Sequence, residues 1–188
     1  MNQNNLKKEI NIPLLSIVKY GDTILREKVK DIYDFSQLPV LVEQMFATMS
    51  NENGIGLAAN QVGWKINLLV INTYHSEQDD INKSHVLINS RIISSHGESV
   101  MEEGCLSVPE IRAKIKRPDR ITVQYQDLDS DFHEKSFSGL ISRVIQHEMD
   151  HLNGKLFIDY LSQTKRILIN KRLLEISKSG SPSTGIIL

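Results

Sequence analysis

Cysteine is nearly missing from this chain: Cys105 is the only one in 188 residues. An internal disulfide is therefore excluded, which fits a reducing compartment and leaves the thiol for metal or redox chemistry. No apolar run approaches the roughly 20 residues that span a bilayer as a helix, so no membrane insertion is expected. Neither sign of charge predominates, the net charge being -1, which argues against nucleic-acid binding over the whole surface and against specific DNA binding. The polar start Met1–Asn11 contains Glu9 but no arginine and fits neither a secretory nor a usual transit peptide. Internal repeats are absent. The only tryptophan, Trp64 beside Gly63, reads as packing.

The length fits one domain able to bury its own core. The expected division is a flexible extension over 1–12, one catalytic domain over 13–178 and a flexible Ser- and Gly-rich tail over 179–188. Leu38, Leu41, Val42, Met45, Phe46 and Met49 repeat at helical spacing, with Ser36 as expected N-cap and Pro39 in the first turn. Gly54–Gln61 is too glycine-rich at its start for a regular helix and reads as backbone shaped for close approach. Leu68–Ile71, Val86–Ile88, Ile121–Tyr125 and Phe132–Phe137 read as short strands. Leu140, Ile141, Val144, Ile145 and Leu152 mark a second helix stopped by Asn153-Gly154, and a third is expected over Ser162–Ser177. The order helix, strands, helices predicts an α+β fold of mainly antiparallel short sheets, with a C-terminal helix.

The second helix carries the chemistry, in His147-Glu148-Met149-Asp150-His151. Residues four apart share one helix face, so both imidazoles can address one metal ion, with Glu148 beside its open side as proton carrier. This helix is thus expected to be the metal-binding centre of the fold. Two histidines on a helix are also common on plain surfaces, so the third ligand matters. The metzincin pattern would need histidine where Phe157 stands. Downstream carboxylates are Asp159 and Glu175, and the upstream candidate is Cys105 in Glu102-Glu103-Gly104-Cys105-Leu106-Ser107-Val108-Pro109. A lone cysteine is ordinarily a small buried hydrophobe, but here an acidic pair precedes it and a two-histidine helix lacks a ligand. One cysteine and two histidines would leave a fourth position for water, the open geometry of a catalytic site, and zinc is the default ion for such donors. His75, His85, His96 and His133 lie in polar or strand-edge contexts and read as solvent-exposed.

Three segments, Gly54–Gln61, Glu103–Ser107 and Gln146–His151, resemble in the same order the Gly-x-Gly-x-Ala-Ala-x-Gln, Glu-Gly-Cys-x-Ser and Gln-His-Glu-x-x-His segments of the peptide deformylases. The likeness spans roughly Pro13 to Leu161 and includes Tyr20–Arg26. It implies removal of the formyl group from formylmethionine at the start of new polypeptides, releasing formate. It implies Cys105, His147 and His151 as metal ligands, Glu148 as the catalytic base and acid, and Gln61 (side-chain amide) and Leu106 (backbone N–H) as donors to the oxyanion. It places the peptide along Gly56, Glu103 and Gly104, the methionine side chain among Ile55, Leu140, Val144 and the stem of Arg143, and Arg112 against the substrate backbone. An exposed arginine after a proline turn is otherwise solvated surface.

The resemblance implies Fe(II), where the donor set alone points to Zn(II). It implies a bacterial cytoplasmic protein, or an organellar one. Lys165, Arg166, Lys171, Arg172 and Lys178, set against Glu175, make the last helix basic, and the resemblance implies ribosome docking through it; a solvated amphipathic surface is the plain alternative. Two rival readings have less support. A peptidase acting on internal bonds lacks support from the Gln61 segment, and a noncatalytic metal-stabilised module would need a fourth protein ligand and no Glu148.

Overall fold

The computed structural model describes residues 12–72 and 84–179. Apart from Ile12 and Ser179, the expected extension and tail lie outside the described residues, as does His75. After a 3₁₀ turn at Thr23–Arg26 the chain forms α1 (Leu38–Asn51), β1 (Gly56–Ala58), a 3₁₀ turn at Ala59–Val62, β2 (Leu68–Asn72), β3 (Ser84–His96), β4 (Ser99–Cys105) and β5 (Val108–Arg117). Then follow β6 (Arg120–Gln126), β7 (Phe132–Ser138), α2 (Gly139–Leu152), a 3₁₀ turn at Phe157–Tyr160 and α3 (Gln163–Ser179). This is the α+β arrangement the sequence predicts, with α2 at its centre and α3 at its end.

One sheet runs β1-β2-β3-β6-β7 and a second is the β4-β5 hairpin, with every pairing antiparallel. Strand β2 is buried on both faces. Leu68 and Val70 point into a core with α1 residues Leu38, Leu41 and Met45, while Leu69 and Ile71 point into one with α2 residues Val144, Ile145 and Met149. Alternate side chains serve opposite helices, so an unbroken apolar run results instead of polar alternation. Burying each such side chain contributes on the order of 1.5–3 kcal/mol before conformational entropy is counted.

The helix stripe of α1 is buried as expected, but Ser36 does not cap it. Gln37 holds the cap position with no side-chain cap bond. Ser36 lies one residue too early, in a turn where its N–H bonds Asp34 Oδ1 at 2.9 Å and the Leu38 N–H reaches the Phe35 carbonyl. Strand β3 runs well beyond Val86–Ile88, and register shifts between Ile88/Arg91 and Ile92/Ser94 break the alternation that would have marked its second half in the sequence. Strands β4 and β5 are not apparent in the sequence: Gly104 and Pro109, residue types that ordinarily interrupt strands, lie within them. Leu106 and Ser107 form the tight turn, and Cys105 pairs with Val108 after a register shift at Gly104.

The third core joins β5 to α3: Leu173 and Ile176 pack with Val108, Ile111, Ile115 and Phe157. Gly21, at φ 108°, lets the N-terminal segment meet α3, since a Cβ there would lie 2.6 Å from Ser177 Cβ. Among the described residues no helix is long and apolar enough to cross a membrane.

Candidate metal centre

Helix α2 leaves β7 through Gly139 and stays amphipathic, burying Val144, Ile145, Met149 and Leu152 against the five-stranded sheet. That docking turns His147, Glu148 and His151 toward the hairpin turn, where β4 presents Cys105. The ligating atoms of Cys105, His147 and His151 lie within 4.8 Å of one another, the one such group of three among the described residues. Cys105 Sγ is 3.1 Å from His151 Nε2. The downstream carboxylates are engaged elsewhere: Asp159 pairs with Arg26 and accepts the Leu156 N–H, and Glu175 pairs with Arg172. Phe157 instead stacks on His147, ring centroids 6.0 Å apart.

Each imidazole is supported differently. His147 Nδ1 lies 2.9 Å from Glu103 Oε2, a bond that fixes its tautomer and leaves Nε2 for a ligand. On the other side Asn60 Nδ2 donates to the His151 carbonyl at 2.6 Å, pinning that turn of the helix. Burial works against protonation of His147, but its bonds to Cys105 and Glu103 outweigh it and raise its pKa. Burial, with the charge of His147 nearby, pushes His151 down. The space between the three donors thus favours one cation, and a soft thiolate with two imidazoles suits a divalent transition metal.

Glu103 sits at the centre of a buried charge cluster. Arg117 donates to it from Nε at 2.7 Å and Nη2 at 3.0 Å, and Arg143 Nη1 at 2.9 Å. Burial alone would raise its carboxyl, but the His147 and Arg117 bonds bring it down to about 2. Both Glu103 oxygens therefore point at protein cations and His147. Arg143 is likewise turned inward, bonding Ser99 and the Ile115 carbonyl.

Glu148 is driven up to about 7 by burial, with Glu103 adding to the rise and His147 and the Ala58 N–H opposing it. Its Oε2 is buried with no hydrogen-bond partner among the described residues. Gly56 makes room for it, since a Cβ there would lie 2.5 Å from Glu148 Oε1 and from Val144 Cγ1. That meets the expectation of close backbone approach at this segment. Gln61 is oriented by its own turn: its Oε1 accepts the Ala58 N–H at 2.8 Å, so Nε2 faces Ser107 Oγ at 3.2 Å and Cys105 Sγ at 3.5 Å. Leu106 follows Cys105 in the hairpin turn, its carbonyl held by Lys19 Nζ at 2.9 Å.

A cleft of about 540 Å³ opens over these groups and collects Ile55, Gly56, Gln61, Glu103, Gly104, Cys105, Leu106, Arg112, Leu140, Arg143, Val144, His147 and Glu148. All the site residues expected from sequence therefore line it except His151, which lies beneath. Sequence reasoning gave no role to Arg117, Asp150, Asn60 or Ser107, although the last three lie inside the motif segments; their contacts, with Arg117, His151 and Gln61, join residues 33 to 91 positions apart. Of the remaining histidines, His96 and His133 are exposed, His133 bonding Asp127, whereas His85 is half-buried edge-on to Phe137.

The polypeptide deformylase family model matches residues 14–167. The peptide deformylase of Christiangramia forsetii is 42% identical over 177 residues, covering 88% of this chain and 90% of that one. That of Acidobacterium capsulatum is 42% identical over 165 residues, 87% of this chain and 96% of the other. The crystal structure of peptide deformylase from Thermus thermophilus superposes with a TM-score of 0.83 at 33% identity, covering 89% of this chain and 100% of its own. The Legionella pneumophila structure gives 0.80 at 36% identity over 88% and 96%.

Proposed function

The chain belongs to the peptide deformylase family, hydrolases that remove the formyl group from the N-terminal methionine of nascent peptides, and we propose that Cys105, His147 and His151 hold its metal while Glu148 moves the proton. The observation that carries this assignment is the convergence of the three donor atoms within 4.8 Å beneath a cleft that also holds Glu148. A divalent ion held there supplies Lewis acidity, polarising the formyl carbonyl and acidifying water.

The rest is the work of side chains. Glu148, its carboxyl pushed up to about 7 by burial and its Oε2 without a hydrogen-bond partner among the described residues, takes the proton of the attacking water and returns it to the leaving amino group. Gln61 Nε2, its direction set by the Ala58 bond, and the Leu106 N–H at the hairpin turn donate to the oxyanion. Ile55, Leu140, Val144 and the Arg143 stem form the methionine pocket, and Gly56, Gly104 and Arg112 run beside the peptide backbone. Glu103 serves by holding His147 and not by direct contact with the peptide, since its oxygens are already engaged. Formate release from a formyl-Met peptide by wild type, and its loss in Glu148→Ala, tests this assignment; release by the variant at the wild-type rate would end it.

Fe(II) is the native ion in this proposal, on the family resemblance, with Zn(II) an alternative that the same donors accept. Anaerobic purification with elemental analysis and turnover measured per metal decides, and equal or better turnover with Zn(II) would sink the iron assignment. Helix α3 is the ribosome-facing element in a cytoplasmic setting. Lys165, Lys171 and Lys178 are exposed on it, while Arg172 is engaged by Glu110 and Glu175. Deleting the helix would strip Leu173 and Ile176 from the core, so Lys165→Glu with Lys171→Glu is the cleaner test. Ribosome co-sedimentation should weaken in the double variant; unchanged, salt-sensitive binding would count against this surface.

A further inference from the structure

Behind the metal centre a chain of charged groups runs through the protein to its opposite face. Glu103, on His147, is clasped by Arg117, whose side chain is only 4% exposed. The guanidinium does not end there: Arg117 Nη1 donates to Asp150 Oδ2 at 2.6 Å. Asp150 accepts the Tyr160 hydroxyl at 3.1 Å, and the Arg117 guanidinium lies 4.8 Å above the Tyr160 ring. Asp150 and Tyr160 border a separate cavity of about 960 Å³ on the far side of α2 from the catalytic cleft.

Two guanidiniums, Arg117 and Arg143, face two carboxylates, Glu103 and Asp150, so the cluster is neutral while His147 is neutral. Without Asp150 a buried positive charge is left uncompensated one residue away from an imidazole that must bind a cation. Arg117 would also fall wholly upon Glu103, whose hold on the His147 N–H would weaken. Both effects act in the same direction, against metal binding.

We propose that Asp150 is a positioning residue for the metal centre, setting the donor strength of His147 through Arg117 and Glu103 from the far side of α2. The inference rests on the assignment of Cys105, His147 and His151 as metal ligands. Because Asp150 borders the outer cavity, Asp150→Asn changes the charge at nearly constant shape without opening the apolar core.

The test uses the metal-loaded full chain with Zn(II) as probe. Zn(II) affinity is measured by competition with a chromophoric chelator, and the His147 Nδ1–H is followed by proton NMR. D150N is expected to bind Zn(II) about tenfold more weakly, as typical for a lost outer-shell partner. Its His147 Nδ1–H signal should move upfield as the bond to Glu103 loosens. D150E, which keeps the charge, should recover most of both values; should D150N fold poorly, D150S, smaller and opening only onto the outer cavity, removes the same charge and makes the same comparison. A D150N protein with wild-type Zn(II) affinity and an unmoved signal overturns the proposal, as does a D150E as weak as D150N. A wild type that takes up no Zn(II) would overturn the ligand assignment itself, a result distinct from either.

Discussion

Helix α2 brings His147, Glu148 and His151 to the site from a single stretch of chain, whereas the β4-β5 hairpin brings Glu103, Cys105, Leu106 and Arg117 from two strands. In the helix, spacing alone sets the geometry, because a rise of one turn aligns residues four apart. In the hairpin, geometry depends on pairing and on the register shift at Gly104, which turns Cys105 toward His151 while Glu103 stays beneath His147. The difference separates two tasks. On the proposed assignment the helix provides the proton carrier and two donors, and the hairpin provides the third donor and Glu103, which holds His147 in place.

The sharpest way to break this division is Glu148→Gln. It removes the proposed proton carrier and leaves all three proposed donors, so turnover should fall by about 10²–10⁴-fold with metal content unchanged. Formate release and elemental analysis on one preparation check it, and loss of metal would merge the two tasks. Gln61→Leu comes next. Its amide faces the hairpin's Cys105 and Ser107 from outside both elements, and loss of one oxyanion donor should slow turnover about 10²–10³-fold with metal retained. Full activity in that variant would remove Gln61 from the site.

Glu103→Gln sharpens the hairpin's side of the comparison. The expected outcome is a roughly 10–100-fold loss of Zn(II) affinity, measured by chelator competition, as the carboxylate on His147 becomes an amide. Affinity equal to wild type would leave the hairpin with Cys105 alone. The smallest effect is expected away from both elements, at the Arg26–Asp159 pair on the turn after α2. Burial would raise Asp159, but the bonds from Arg26 and the Leu156 N–H outweigh it and lower its pKa. Its folded pKa being depressed, the stability it adds is present at neutral pH and lost as pH falls below the ordinary aspartate range. Arg26→Ala should therefore cost under about 1 kcal/mol at pH 7, the pair being partly exposed, and less still in acid. Thermal melts at neutral and acid pH check it; a gap that widens in acid would contradict the sign.

Legibility in the sequence followed the same division. The helical stripe of Leu140 to Leu152 and the His147–His151 spacing were readable because helix contacts are local. Strand β2 was readable as an apolar run, although only the structure shows that α1 and α2 share it face by face. The hairpin was not readable: Gly104 and Pro109 carry the signature of loops, and exposed charged residues interrupt its alternation. The start of α1 was not readable to the residue either: the helix begins at Leu38 with Gln37 in the cap position, one residue after Ser36.

Taken alone, the amino-acid sequence determined that a helix would carry two imidazoles and a carboxylate on one side, and that one thiol was available to join them. It left Cys105, Asp159 and Glu175 open as third ligand until the family likeness weighed in. Only the tertiary structure placed Cys105 beside His151, paired Asp159 with Arg26 and Glu175 with Arg172, and assembled Glu103, Arg117, Arg143 and Asp150 into one buried cluster. The physical reason is range. Helix spacing is set by bonds four residues long, whereas the cluster depends on strand register and helix docking, which bring residues 14 to 44 positions apart into hydrogen-bond contact.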